Sequence, residues 1–179
     1  PGTSDKENDM NSLWKRYGLF GLLTALAVGL DQWTKRVAVE NVMGNGPVGI
    51  WDGVFWLLYS ENRGAAFGIL QGKHACFFLV AAAVIVVVLL FLYRMPWSRR
   101  YMPLYFSMVL LTSGAVGNII DRAVQGYVVD FLYFSLIDFP IFNVADCYVV
   151  TAAVLLVLLT GFYYKEGEMD FFSGKERAR

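Results

Sequence analysis

Apolar positions along this chain gather into long runs rather than into the spaced stripe of a surface helix. Four stretches stand out, at roughly 13–37, 75–93, 101–120 and 144–164. Each is near the ~20 residues that carry a helix across ~30 Å of hydrocarbon. Residues 77–93 and 149–164 hold no charge at all. Two such stretches would suit buried helices of a soluble bundle, whereas four together predict transmembrane spans. Between the first two runs, Val48, Ile50, Val54, Phe55, Trp56, Leu57, Leu58 and Tyr59 are broken by Gly49 and Gly53. Residues 127–134 are rich in Val, Phe and Tyr. Both segments predict short strands bounded by glycine. The expected architecture is an α-helical membrane domain over 13–164, with four transmembrane helices and a small outer-face β-sheet built by the two extracytoplasmic loops. Residues 1–12 form a polar arm expected to lack order, and because Met10 could be a start codon, residues 1–9 need not be native. Residues 165–179 are expected to be a cytoplasmic tail.

Charge adds an orientation. Lys15, Arg16, Arg94, Arg99, Arg100, Lys165, Lys175, Arg177 and Arg179 all flank one side of the four spans. The positive-inside rule puts both termini and the basic 94–100 link in the cytoplasm. The loops at about 38–74 and 121–143 then face outward, where Trp51, Trp56, Tyr59, Tyr127 and Tyr133 suit the interface. Lys35 and Arg36 run against this trend.

Composition agrees with lipid as solvent. The 179 residues are 57% hydrophobic and only 17% charged, against about a quarter charged in a soluble domain. Zero net charge gives no whole-molecule signal for a nucleic-acid partner. Cys76 and Cys147 form no CxxC pair, and His74 is the sole histidine, which is poor material for zinc. Two small apolar residues at helix starts is the plainer reading of the cysteines. No HExxH, P-loop or dinucleotide fingerprint is present.

The acids carry the chemical signal. Asp31, Asp121, Asp130 and Asp146 all map to the outer ends of the spans or the loop beside them. Ionisable groups at that depth are functional candidates by default. Each also has a plainer reading. Asp31 and Lys35 lie four apart and predict an ion pair on one helix face. Asp121 has Arg122 beside it for local neutralisation. Asp146 follows Asn143 by three, as an N3 acid follows an N-cap. Asp130 lies among Val128, Val129, Phe131 and Leu132, and Gly126 already serves the turn. Two carboxyl groups at close range share a proton, so one can take a proton from water while the other donates to a scissile carbonyl. On the residues alone, Asp121 and Asp130 remain rivals for the second member of such a pair.

Five segments stand in order: Asp31-Gln32-Trp33-Thr34-Lys35, Asn62-Arg63-Gly64-Ala65-Ala66-Phe67-Gly68, Gly117-Asn118-Ile119-Ile120-Asp121-Arg122, Val128-Val129-Asp130-Phe131 and Phe142-Asn143-Val144-Ala145-Asp146. Together they resemble the motif set of the lipoprotein signal peptidases, or signal peptidase II. The resemblance spans about residues 13–164 and implies a metal-independent aspartyl endopeptidase without cofactor, in the bacterial cytoplasmic (inner) membrane. It implies that Asp130 and Asp146 are catalytic. It implies that Asp31, Lys35, Asn62, Gly64, Asn118, Asp121, Arg122 and Asn143 line or brace the site. The implied substrates are diacylglyceryl-modified prolipoproteins, cut just before the lipidated cysteine, with membrane lipid as the other partner and a monomer as the working form. Cys147 stands where a small polar residue is more usual. A small proton-coupled transporter is the alternative, but its acids belong mid-span and at a repeat interface.

Overall fold

The computed structural model describes residues 3–64 and 74–172, with side chains over 13–64 and 75–171. Four long helices form the bundle. They are α1 (Thr3–Asn41), α2 (His74–Arg94), α3 (Met102–Val124) and α4 (Val144–Leu158). A single π-helical turn, Leu159–Tyr163, extends α4. Three strands, β1 (Val48–Trp51), β2 (Phe55–Asn62) and β3 (Val128–Phe134), form one antiparallel sheet in the order β1-β2-β3. The three helical segments Ala75–Arg94, Arg99–Val124 and Val144–Tyr163 are long and apolar enough to cross a membrane.

Helix α1 starts at Thr3 and runs for 39 residues. No proline or glycine interrupts the chain from there until Gly18. At its other end α1 continues past the expected boundary at 37 to Asn41.

Pro103 in the first turn of α3 has no amide to leave unpaired there. Gly126 ends the same helix with φ +80° and turns the chain into β3. At that end the sheet is bolted to the bundle by Ala38 of α1 packed with Val129 and Phe131 of β3. At the opposite end a larger apolar cluster forms around Leu92, Met95, Leu104, Tyr105 and Met108. There buried Arg16 donates to the carbonyls of Leu92 and Met95, supplying partners that the last turn of α2 lacks. The tail folds back on this end, where Arg100 Nη2 and Glu168 Oε2 lie 2.9 Å apart.

Two glycines let α3 approach its neighbours closely. A Cβ at Gly114 would meet the Ala145 carbonyl at 2.5 Å. A Cβ at Gly117 would meet Asp31 Oδ2, also at 2.5 Å. Both contacts are below any real Cβ distance, so the small residues set the spacing of α1, α3 and the start of α4.

Candidate active site

Each acid reaches the sheet end of the bundle on a different element. Asp31 is in α1, Asp121 in the last turns of α3, Asp130 in β3 and Asp146 in the first turn of α4. They divide into two groups by their partners.

Asp31 and Asp121 share one cation. Lys35 Nζ lies 2.9 Å from Asp31 Oδ2 and 3.0 Å from Asp121 Oδ2, and all three side chains are buried. The expected Asp31–Lys35 pair is therefore present, and it accounts for Lys35, one of the two cations that run against the orientation trend. The expected neutralisation of Asp121 by Arg122 is not what forms. Adjacent residues on a helix point in different directions. Arg122 instead donates to the Gly64 carbonyl at 2.9 Å, with its guanidinium 4.1 Å from the Phe77 ring centroid. Asp121 takes Gln32 Nε2 at 2.8 Å and the Val129 amide at 3.1 Å. Asp31 accepts from the Ala145 amide at 2.9 Å.

Among the described residues, Asp130 and Asp146 touch no cation at hydrogen-bond distance, and amides surround them. Asp130 Oδ2 accepts from Asn62 Nδ2 at 2.9 Å and Oδ1 from Asn143 Nδ2 at 2.6 Å. Asp146 Oδ1 accepts from Asn118 Nδ2 at 2.8 Å and Oδ2 from the Asn143 amide at 3.1 Å. Asn143 therefore contacts both acids. Its Oδ1 accepts the Asp146 amide at 3.0 Å, completing with Asp146 the reciprocal cap expected from the spacing. Burial pushes the Asp130 carboxyl up to about 6, with the Asp146 charge adding to the shift and the hydrogen bonds from Asn62 and Asn143 opposing it.

The position of Asn62 depends on an irregularity in the sheet. Leu57 pairs with Leu132, but Ser60 pairs with Asp130. Leu58 and Tyr59 thus oppose Phe131 alone, which is a β-bulge. Paired residues share a face, so Ser60 and Asn62 lie on the Asp130 face. Strict alternation from Leu57 would have put Tyr59 and Glu61 there instead.

A cavity of about 910 Å³ opens against these groups. Asp130 and Asp146 line it, as do Asn62, Gly64, Asn118 and Arg122. Its apolar wall includes Phe77, Phe139, Ile141, Phe142 and Val150. Asp31, Lys35, Asp121 and Asn143 stand behind this lining, and the structure brings together all ten residues singled out from the sequence. Gln32 and the bulge were not singled out. Gln32 stands inside a quoted motif, and four-residue spacing from Asp31 draws the eye to Lys35. Residues 65–68 of the glycine motif lie outside the described residues, as does the His74 side chain. Cys147 lines the cavity beside Asp146.

Comparison with known proteins gives a consistent answer. A lipoprotein signal peptidase of Streptococcus thermophilus (strain CNRZ 1066) is 42% identical over 132 residues, covering 74% of this chain and 85% of that protein. One of Clostridioides difficile (strain 630) is 37% identical over 147 residues, covering 81% and 96%. A bacterial membrane enzyme solved by the in meso method at 2.3 Å superposes with a TM-score of 0.71 at 27% identity, over 90% of this chain and 94% of that one. The model of the family described as Signal peptidase (SPase) II matches residues 23–162. With its motifs in order and most of its length aligned to such relatives, this chain belongs to the signal peptidase II family.

Proposed function

We propose that this chain is an aspartic endopeptidase of the bacterial inner membrane, which removes signal peptides from prolipoproteins with Asp130 and Asp146 as its two acids. One observation carries the assignment of the pair. Two carboxylates, buried Asp130 and half-buried Asp146, are held by the same asparagine, Asn143, against one cavity, and neither is paired with a cation among the described residues. Asp146 lies at N3 of α4, where the positive end of the helix dipole favours an anion. Asp130 lies in a desolvated strand, which favours its neutral form. In the free enzyme the shared proton then resides mainly on Asp130. Asp146 takes a proton from the attacking water, and Asp130 donates to the scissile carbonyl oxygen. The tetrahedral intermediate collapses as Asp146 passes the proton it took from water to the leaving amine and Asp130 recovers a proton from the hydroxyl that becomes the new carboxyl's carbonyl. Asn62, already bonded to Asp130 and part of the lining, offers hydrogen-bonding groups to an extended peptide backbone. Every group in this scheme comes from one chain, which suits a monomer.

The substrate is the diacylglyceryl-modified form, cut before the lipidated cysteine. Its acyl chains stay in one leaflet, and each buried methylene is worth ~0.8 kcal/mol. They hold the bond to be cut at the depth where the helices meet the sheet. Purified protein should cleave a lipidated prolipoprotein in excess EDTA and ignore the unlipidated precursor. Equal rates on both precursors would remove the lipid from the recognition scheme. Activity lost to EDTA and restored by a divalent ion would remove the two-acid mechanism.

The basic flanks support a topology of four spans, with α1 as the fourth, both termini in the cytoplasm and the sheet with its acids at the outer leaflet. A Ser60→Cys variant should therefore react with a membrane-impermeant thiol reagent on intact cells. Labelling only after permeabilisation would invert the topology. A transporter is disfavoured because the four acids gather at one end of the helices.

A further inference from the structure

An asparagine amide fits its pocket either way round, and its neighbours decide which end donates. At Asn118, Oδ1 faces Lys35 Nζ at 3.1 Å and Asn143 Nδ2 at 3.2 Å, and Nδ2 faces Asp146 Oδ1 at 2.8 Å. A lysine ammonium has three donors and no acceptor, so only the oxygen end of the amide can face it. The ammonium is saturated, with its three acceptors being Asp31, Asp121 and Asn118. Its two acids in turn hold the backbone amides of Ala145 and Val129. Those are the residues immediately before Asp146 and Asp130.

We propose that Lys35 is the positioning residue of the carboxylate pair: without touching either acid, its ammonium fixes the Asn118 amide so that Nδ2 points at Asp146, and through Asp31 and Asp121 it holds the backbone beside both acids. This rests on the assignment of Asp130 and Asp146 as the reacting pair. The Asn118 oxygen, once fixed, also receives Asn143 Nδ2, the same group that donates to Asp130. The buried cation thus sets the direction of the Asn118 amide, while the Asp146 backbone amide, bonded to Asn143 Oδ1, sets that of Asn143. The other charged or titratable groups around the pair are Arg122, Cys147 and, at the cavity rim, Glu61 and Arg63. None of these is hydrogen-bonded to Asn118 Oδ1 among the described residues.

Removing Lys35 alone would leave two buried acids uncompensated, so the test keeps the charge balanced. Adding Lys35→Met and Asp31→Asn to Asp121→Asn removes one positive and one negative charge together and leaves no charge in the cluster. Against Asp121→Asn alone, the triple variant should melt at a similar temperature, keep its KM for lipidated precursor and lose about 10²-fold in kcat, the loss expected of a misaimed reacting group. Its acid limb of kcat against pH should move up by at least one unit, because a freely rotating Asn118 no longer donates steadily to Asp146. Lys35→Arg keeps the charge and still presents only donors to the Asn118 oxygen, so it should retain the parent's pH profile and more of its kcat than the variant without the cation. In the triple variant, an unchanged pH profile with kcat reduced only in line with the folded fraction would make Lys35 a purely structural residue and overturn the proposal. The assignment of the pair fails differently, through measurable turnover in Asp130→Asn or Asp146→Asn.

Discussion

Replacing Asp130 with Asn is expected to abolish turnover and, above pH 6, to stabilise the protein. The loss in kcat should reach three to four orders of magnitude, the upper range for an aimed proton donor. The introduced amide keeps the size and neutrality of the protonated carboxyl, so binding of the lipidated precursor should survive. The stability effect follows from linkage. Burial raises the Asp130 carboxyl from its ordinary 3.8 to about 6 in the folded protein. The folded state therefore binds this proton more tightly than the unfolded chain does. That contribution is fully present below pH 3.8 and is lost as pH rises through 6. A shift of roughly two units corresponds to ~3 kcal/mol across the window. The variant lacks this loss, so its Tm relative to the parent should climb between pH 4 and pH 6 and then level off. A relative Tm that falls over that range would mean that the fold stabilises the Asp130 anion, and the roles of the two acids would be exchanged.

The four apolar runs were legible because a hydrocarbon-crossing helix needs length and little else, and α2, α3 and α4 follow them closely. The strands were legible from β-branched and aromatic residues between glycines. What failed was local. Arg122 is the natural partner of Asp121 when adjacency in sequence is the only distance available. Helical geometry turns the two apart and brings Lys35 across from α1 instead.

At the site, residue types were readable and their sharing was not. The spacing of Asn143 and Asp146 announces a cap, and the cap is present. That the Asn143 side chain would also reach Asp130 depends on where β3 lies beside α4, through the bridge between Leu132 and Phe142. No local pattern encodes this. The face of β2 that meets Asp130 was hidden for a related reason. A period-two reading assigns Asn62 to the face opposite Leu57, and one bulge at Leu58 and Tyr59 reverses it. Asn62 could be picked out only because its motif resembled that of the signal peptidase II family.

The double duty of Asn143 gives the second large effect. Its oxygen caps α4 by accepting the Asp146 amide, and its nitrogen donates to Asp130 Oδ1 at 2.6 Å. Asn143→Asp separates the two. Aspartate is as good an N-cap as asparagine, and the helix dipole favours it. The other oxygen of the new side chain, however, stands where a donor stood, against acceptors on Asp130 and Asn118. A third carboxyl in the cluster also raises the number of protons held there. Asn143→Asp should therefore fold, with a Tm close to that of the parent at pH 5, and lose about 10³-fold in kcat at pH 7.5. Asn143→Ala loses the cap as well, worth ~1 kcal/mol, and leaves the Asp146 amide without its partner, so its Tm should fall at every pH. Residual turnover distinguishes the cause. Once protonated, the carboxyl introduced at position 143 donates to Asp130 again, so the activity of Asn143→Asp should rise as pH is lowered from 7.5 to 5.5, while that of Asn143→Ala should not. An Asn143→Asp variant within tenfold of the parent at pH 7.5 would show that the asparagine serves the helix alone.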